Sequence, residues 1–258
     1  MKITALTENT SHSPDIECEH GLSLYIETGS IRILFDAGQT DLFARNAEKL
    51  GIDLGAVDIF VLSHGHYDHG GGLAKFLEIN KTAPVYMSRY AFEPHFNGEK
   101  YIGLDPALQN NKRIIFTEGT REIYPGITLF SPEGRDKKYD LGSFGLTAVK
   151  EGKTVADDFR HELFAEITEN GRKILFSGCS HSGIMDIARW FNPDVLAGGF
   201  HFSKLDMDET LADYAKILDS MGIKFITCHC TGTDRYEYMK PYMKNLGYIS
   251  AGETVEII

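Results

Sequence analysis

The chain has 258 residues and a formal charge of −11, with 42% apolar and 24% charged residues, an ordinary globular composition with length for one large domain or two small ones. The acidic balance argues against a nucleic-acid partner, whose phosphates need clustered Lys and Arg, and offers no attraction to an anionic membrane surface. No apolar run approaches a membrane span, and the first residues, MKITALTENT, lack the apolar core of a secretion signal.

Cys18, Cys179, Cys228 and Cys230 are too few for a disulfide scaffold, and each lies within two residues of a histidine. They read as reduced thiols of a cytoplasmic protein, some of them near a metal.

In chain order, strands are expected at Lys2–Thr7, Leu22–Glu27 and Ile31–Asp36, with Thr28-Gly29-Ser30 closing a hairpin between the last two. Asp41–Leu50 has helical spacing, and Gly51 suits its C-terminal cap. Val57–Leu62 is apolar except for Asp58, as in a strand buried on both faces. A helix opens at Leu73–Leu77 and a short strand follows at Pro84–Met87. Residues 89–111, with Pro94, Pro106 and aromatics in a polar setting, read as an insertion or lid over a site.

Further strands are expected at Ile127–Phe130, Leu146–Val149, Leu163–Thr168, Lys173–Ser177, Val195–Ala197, Lys224–Thr227 and Glu253–Ile257. Helices are expected over Gly183–Phe191, capped by Ser182, over Asp208–Met221, and near Arg235–Leu246, where Pro241 weakens the pattern. No repeat or linker divides the chain, which reads as a single α/β domain of two packed sheets flanked by helices.

The densest chemistry is His64-Gly65-His66-Tyr67-Asp68-His69, placed directly after the strand at 57–62. In extended backbone, residues two apart point the same way and lie about 6.5–7 Å apart. His64 and His66 can therefore converge on one ion at N–metal distances of about 2.0–2.1 Å. A turn near Tyr67 would free Asp68 and His69 to face a second ion. Gly65 removes bulk between the first ligands, and Gly70-Gly71-Gly72 lets the backbone turn tightly.

This HxHxDH run after an apolar strand, with Asp36-Ala37-Gly38 ending an earlier one, resembles the signature of the metallo-β-lactamase superfamily. The resemblance implies a four-layer αββα sandwich of two mixed sheets. In that family a later strand ends in Gly-Asp, whose carboxylate bridges two metals. Here Ile174-Leu175-Phe176-Ser177-Gly178 ends in Cys179, whose thiolate can bind zinc or iron. His181 can coordinate two residues on. His161 falls close to the family's third histidine, as a ligand or a substrate contact, and His229 matches the last one. The segments Glu19-His20-Gly21-Leu22-Ser23, Gly178-Cys179-Ser180-His181-Ser182-Gly183, Gly198-Gly199-Phe200-His201 and Cys228-His229-Cys230-Thr231-Gly232 together resemble one branch of the superfamily. Its members are often named for 7,8-dihydropterin-6-methyl-4-(β-D-ribofuranosyl)-aminobenzene-5′-phosphate synthase.

The resulting expectation is a hydrolase using a metal-bound hydroxide on a small, phosphorylated or pterin-like substrate. His64, His66, Asp68, His69, Cys179, His181 and His229 are its candidate ligands for one or two divalent ions, zinc by default, with iron or manganese as alternatives. Asp68 and His201 are candidates for proton transfer, and His20 and His161 for substrate contact. His12 and His95 read as surface residues. The alternative is a non-catalytic ligand-binding or sensor module that kept the fold, favoured by the loss of the bridging carboxylate at Cys179.

Overall fold

The computed structural model describes residues 1–257. Side-chain alternation along the strands sorts the apolar residues into three layers of core. In the first sheet Ile3, Ala5, Ile33, Phe35, Ile59 and Val61 point inward, while Leu6, Leu34 and Phe60 point outward. In the second, Ile174, Phe176, Val195, Ala197 and Ile226 point inward, and Leu175, Leu196 and Phe225 outward. Period-two alternation with both faces apolar requires a cover on each outer face. Helices Leu42–Lys49 and Leu73–Ile79 cover the first through Phe43, Ala47, Leu73 and Phe76. Helices Ile184–Phe191, Glu209–Ser220 and Thr233–Met239 cover the second through Ile187, Leu211, Ala215 and Met239. The expected αββα sandwich is thus the fold.

Each large sheet has seven strands. The first runs Thr254–Glu256, Lys2–Thr7, Ser23–Glu27, Arg32–Phe35, Ile59–Val61, Val85–Ser88 and Ile114–Thr117. Its pairing is antiparallel as far as Arg32–Phe35 and parallel beyond. The second runs Leu246–Tyr248, Lys224–Thr227, Val195–Ala197, Arg172–Phe176, Phe164–Glu169, Ile127–Phe130 and Thr120–Tyr124, parallel at first and then antiparallel. In α/β sheets ligands bind beyond the carboxyl ends of parallel strands. Asp36, His64, Cys179, His201 and His229 all follow such ends.

Within the segment 89–111, His95–Asn97 and Lys100–Tyr101 join Leu146–Lys150 and Lys153–Ala156 in a third, four-stranded sheet, and Asn97, Lys100 and Ile102 line a cavity. Other expectations are corrected. The helix expected near Arg235–Leu246 stops at Met239 and gives way to a 3₁₀ turn, Lys240–Tyr242, because Pro241 has no N–H to continue the ladder; Leu246–Tyr248 is a strand. Ser182 does not cap the helix that begins at Ile184; Gly183 occupies that place at φ 99°, and the Ser182 N–H is taken by Glu162. The strands Ile114–Thr117, Thr120–Tyr124 and Lys153–Ala156 were not foreseen. They are half-exposed or exposed, so their apolar alternation is weak. Among the described residues, no helix is long and apolar enough to cross a membrane.

Candidate metal centre

The centre is organised from Asp36, a buried residue held at φ 64° by the turn after its strand. Its Oδ1 accepts the Ser63 N–H at 2.7 Å, and its Oδ2 accepts the Ser63 hydroxyl at 2.7 Å. Oδ2 also lies 2.7 Å from His69 Nδ1. A carboxylate only accepts, so His69 donates through Nδ1 and turns Nε2 to the centre. Ser63 has used its proton on Asp36, so its oxygen accepts from His64 Nδ1 at 2.8 Å, and His64 also offers Nε2. One carboxylate therefore sets the tautomers of two histidines.

His229 is oriented from the other end of the chain. Its backbone N–H donates to Glu8 Oε1 at 2.6 Å, and its Nδ1 meets Asn9 Oδ1 at 2.7 Å, leaving Nε2 free for the centre. That Nε2 lies 3.2 Å from His69 Nε2, which is itself 3.2 Å from Cys179 Sγ. Two nitrogens bound tetrahedrally to one zinc stand about 3.3 Å apart, from N–metal lengths of about 2.0–2.1 Å. The space between them suits one proton or one cation.

Asp68 completes this side, with Oδ2 at 3.2 Å from His20 Nε2 and 3.4 Å from His229 Nε2. Burial alone would push its carboxyl up, but the neighbouring His20, His229 and His69 rings outweigh it and hold it well below the ordinary range.

The other side gathers His64, Cys179 and His181, whose ligand atoms lie within 4.8 Å of one another. His66 joins them, its ring 4.6 Å from that of His64 and 4.9 Å from that of His181. Buried Glu162 accepts the backbone N–H of His181 at 2.6 Å and of Ser182 at 2.8 Å, which fixes the turn carrying His181. Gly178 is required beside it, since a Cβ there would stand 2.1 Å from Ser63 Oγ.

Whether the residues fit a metal is decided by their unpaired atoms. His64 Nε2, His66 Nε2 and both ring nitrogens of His181 and His201 are buried with no hydrogen-bond partner. Burial, and then neighbouring histidines, hold His64, His66 and His181 well below the usual imidazole range, so they are neutral and carry lone pairs. Buried lone pairs without donors are destabilising unless a cation takes them. The donor set of imidazole, thiol and carboxylate fits a zinc- or iron-type ion.

A cavity of about 160 Å³ opens over this centre. His20, His66, Asp68, Cys179, His181, His201, Cys230 and His229 line it, with Lys100 and Lys204 among its remaining walls. His161 is not among the residues that line it, and the ring is fully buried. His95, expected at the surface, is 0% exposed and pairs with Asp157, because the third sheet closes over it. His12 is exposed, and Cys228 belongs to the core between the sheets. All four cysteines are free thiols. Ser63, Glu8, Asn9, Glu162 and Asp157 were not singled out from the sequence. Ser63, Asp157 and Glu162 carried a local signal, by proximity to His64 and His161.

Comparison with known proteins identifies the family. An uncharacterized protein of Methanocaldococcus jannaschii is 30% identical over 241 residues, covering 89% of this chain and 90% of its own. The 7,8-dihydropterin-6-methyl-4-(β-D-ribofuranosyl)-aminobenzene-5′-phosphate synthase of the same organism is 29% identical over 285 aligned positions, covering 99% and 96%. The crystal structure of Tm1679, described as a metal-dependent hydrolase of the β-lactamase superfamily, superposes with a TM-score of 0.85 at 29% identity, covering 100% of this chain and 99% of that one. The family model of the metallo-β-lactamase superfamily matches residues 16–219, and with the sandwich and histidine run described above it establishes that this chain belongs to that superfamily.

Proposed function

We propose that the chain is a metal-dependent hydrolase of a small, phosphorylated or pterin-like substrate, with His64, His66, Asp68, His69, Cys179, His181 and His229 as its metal ligands. The observation that carries this reading is the set of buried imidazole nitrogens without partners on His64, His66 and His181. A bound divalent ion, with zinc the natural choice for this donor set, would lower the pKa of water toward neutrality and polarise the substrate oxygen.

The chain's own groups supply the rest. Asp68, held ionised, accepts a proton at Oδ2 from the attacking water, and His20 steadies that oxygen from the cavity side. His201 lines the cavity with both ring nitrogens unpaired and delivers a proton to the leaving group. The ammonium groups of Lys100 and Lys204 receive an anionic substituent; they stand out on a chain of charge −11. The named relative, a synthase whose product name includes a 5′-phosphate, supports a phosphorylated substrate of this kind. Free thiols support a reducing, cytoplasmic setting.

Metal analysis of protein purified without chelators tests the centre: at least one ion per chain is expected, and less than about 0.2 per chain sinks the reading. Metal-replete protein that binds a phosphorylated ligand but turns over no phosphoester, lactone or thioester would favour a binding module instead.

Lys204→Ala is expected to raise KM for a phosphorylated substrate about tenfold with little change in kcat, because a rim charge binds ground and transition states alike. An unchanged KM removes the anion-recognition role.

A further inference from the structure

Three adjacent parallel strands of the second sheet, Arg172–Phe176, Val195–Ala197 and Lys224–Thr227, are followed by loops that carry Cys179, His201 and Cys230. Ligand-type atoms of these three residues lie within 4.8 Å of one another, and all three line the cavity. Cys230 has no part in the centre assigned above, and His201 has none as a ligand. Both cysteines are buried free thiols. Both ring nitrogens of His201 are buried without a hydrogen-bond partner, although a neutral imidazole has one donor and one acceptor to satisfy. His201 is also held at φ 56°, a left-handed conformation that persists in a residue with a Cβ only where the surroundings impose it.

The sulfur of Cys230 is placed with equal care. Gly199 makes room for it, since a Cβ there would stand 2.3 Å from Sγ. That Sγ accepts the His201 N–H at 3.2 Å and donates to the Cys179 carbonyl at 3.4 Å. A thiolate would keep the first contact, which suits negative charge on sulfur, and lose the second, whose S–H is a weak donor. Two thiolates and one imidazole, with a fourth place left for water or substrate, form a known zinc arrangement. Ligand atoms in such a site stand about 3.6–3.8 Å apart, from Zn–S of about 2.3 Å and Zn–N of about 2.0–2.1 Å, so closure on an ion needs shifts of about 1 Å.

We propose that Cys179, His201 and Cys230 form a further site for a thiophilic ion such as zinc, open to the cavity and filled after the histidine centre. Soft thiolate ligands select ions of that kind. Cys179 is shared with the centre, where its Sγ stands 3.2 Å from His69 Nε2, so the later ion meets a thiolate already committed and is held more weakly. Filling the site takes a lone pair of His201, so an occupied site and proton delivery by His201 exclude each other. The order of filling rests on Cys179 being a ligand of the centre, as in the proposed function.

The test is a titration of metal-free protein with Cd(II), a zinc analogue whose thiolate bonds absorb in the ultraviolet, in a Cys18→Ser background that removes the exposed thiol. Bound metal and thiolate absorbance are followed together. A last equivalent is expected after the histidine centre is full, with its own step in thiolate absorbance. Cys230→Ser and His201→Gln should each lose that equivalent and its step while keeping the earlier ones, and circular dichroism reports their fold. An unchanged stoichiometry in either variant, or no step beyond the centre, overturns the proposal. Iodoacetamide labelling read by peptide mass spectrometry keeps the test open if the variants misfold. In the Cys18→Ser protein, Cys230 should be labelled when only the centre is filled and protected once the last equivalent is bound; equal labelling in both states overturns the proposal as well. A chain that takes up no metal at all fails the functional reading too, whereas absence of the last step alone fails only this one.

Discussion

Asp36→Asn is expected to lower metal affinity by about 100-fold while the protein stays folded. The replacement preserves shape but exchanges one acceptor oxygen for an NH₂ group. If the amide oxygen keeps the Ser63 N–H, the NH₂ takes the place of Oδ2, where His69 Nδ1 and the Ser63 hydroxyl now donate. His69 must then move its proton to Nε2, which points it at Cys179 and His229. The Ser63 hydroxyl, displaced from Asp36, turns its proton to His64 Nδ1 and drives that ring's proton onto Nε2 as well. If the amide flips, its NH₂ meets the Ser63 N–H instead, and a buried donor goes unsatisfied at about 1–3 kcal/mol. A chelator competition titration reads the affinity, and circular dichroism reports the fold. A variant that binds metal as tightly as wild type would show that Asp36 does not set the tautomers.

The second large effect is acid sensitivity of the metal-free chain. Burial holds His64, His66 and His181 well below the imidazole value of 6.5, and His161 at about 4. Below 6.5 the unfolded chain binds protons that these four rings refuse in the folded state, so stability falls as pH falls. Each such ring contributes on the order of 1 kcal/mol between pH 7.5 and 5.5. Two groups act in the opposite direction. Burial lowers His69, but the charge and bond of Asp36 outweigh it and raise the ring overall, while burial raises Glu162. Each returns part of that loss over the same interval, because a raised group favours the folded state at lower pH. The expected net loss is on the order of a few kcal/mol, measurable by urea unfolding of chelator-treated protein at the two pH values. Bound metal should raise stability at both pH values without removing the fall, since coordinated nitrogens take no proton in the folded state while the unfolded chain still does. Equal stability at pH 7.5 and 5.5 without metal would mean that these rings are not buried and neutral.

Much of the fold could be read locally. Lys2–Thr7, Val195–Ala197 and Lys224–Thr227 lie where their short apolar runs put them, being buried on both faces, and Ile127–Phe130 lies where its alternation puts it. The exposed edge strands at 114–117, 120–124 and 153–156 left no such pattern. They form because a neighbouring strand offers a ladder. The short strands His95–Asn97 and Lys100–Tyr101 inside 89–111 form for the same reason.

The metal centre divides in the same way. Three histidines and an aspartate in six residues after a buried strand announced a metal from the linear sequence, because ligand type and short-range spacing are local properties. Cys179 could be marked as a departure from the family's bridging aspartate by position alone. Tertiary structure decided which nitrogen each ring presents. That depends on partners far along the chain: Asp36 for His69 across 33 residues, Asn9 for His229 across 220, Asp157 for His95 across 62. It also left His161 off the cavity lining and buried His95 beside it. An imidazole is a ligand only at the nitrogen without a proton, and the place of that proton is set by whatever acceptor or donor the fold brings against the other nitrogen.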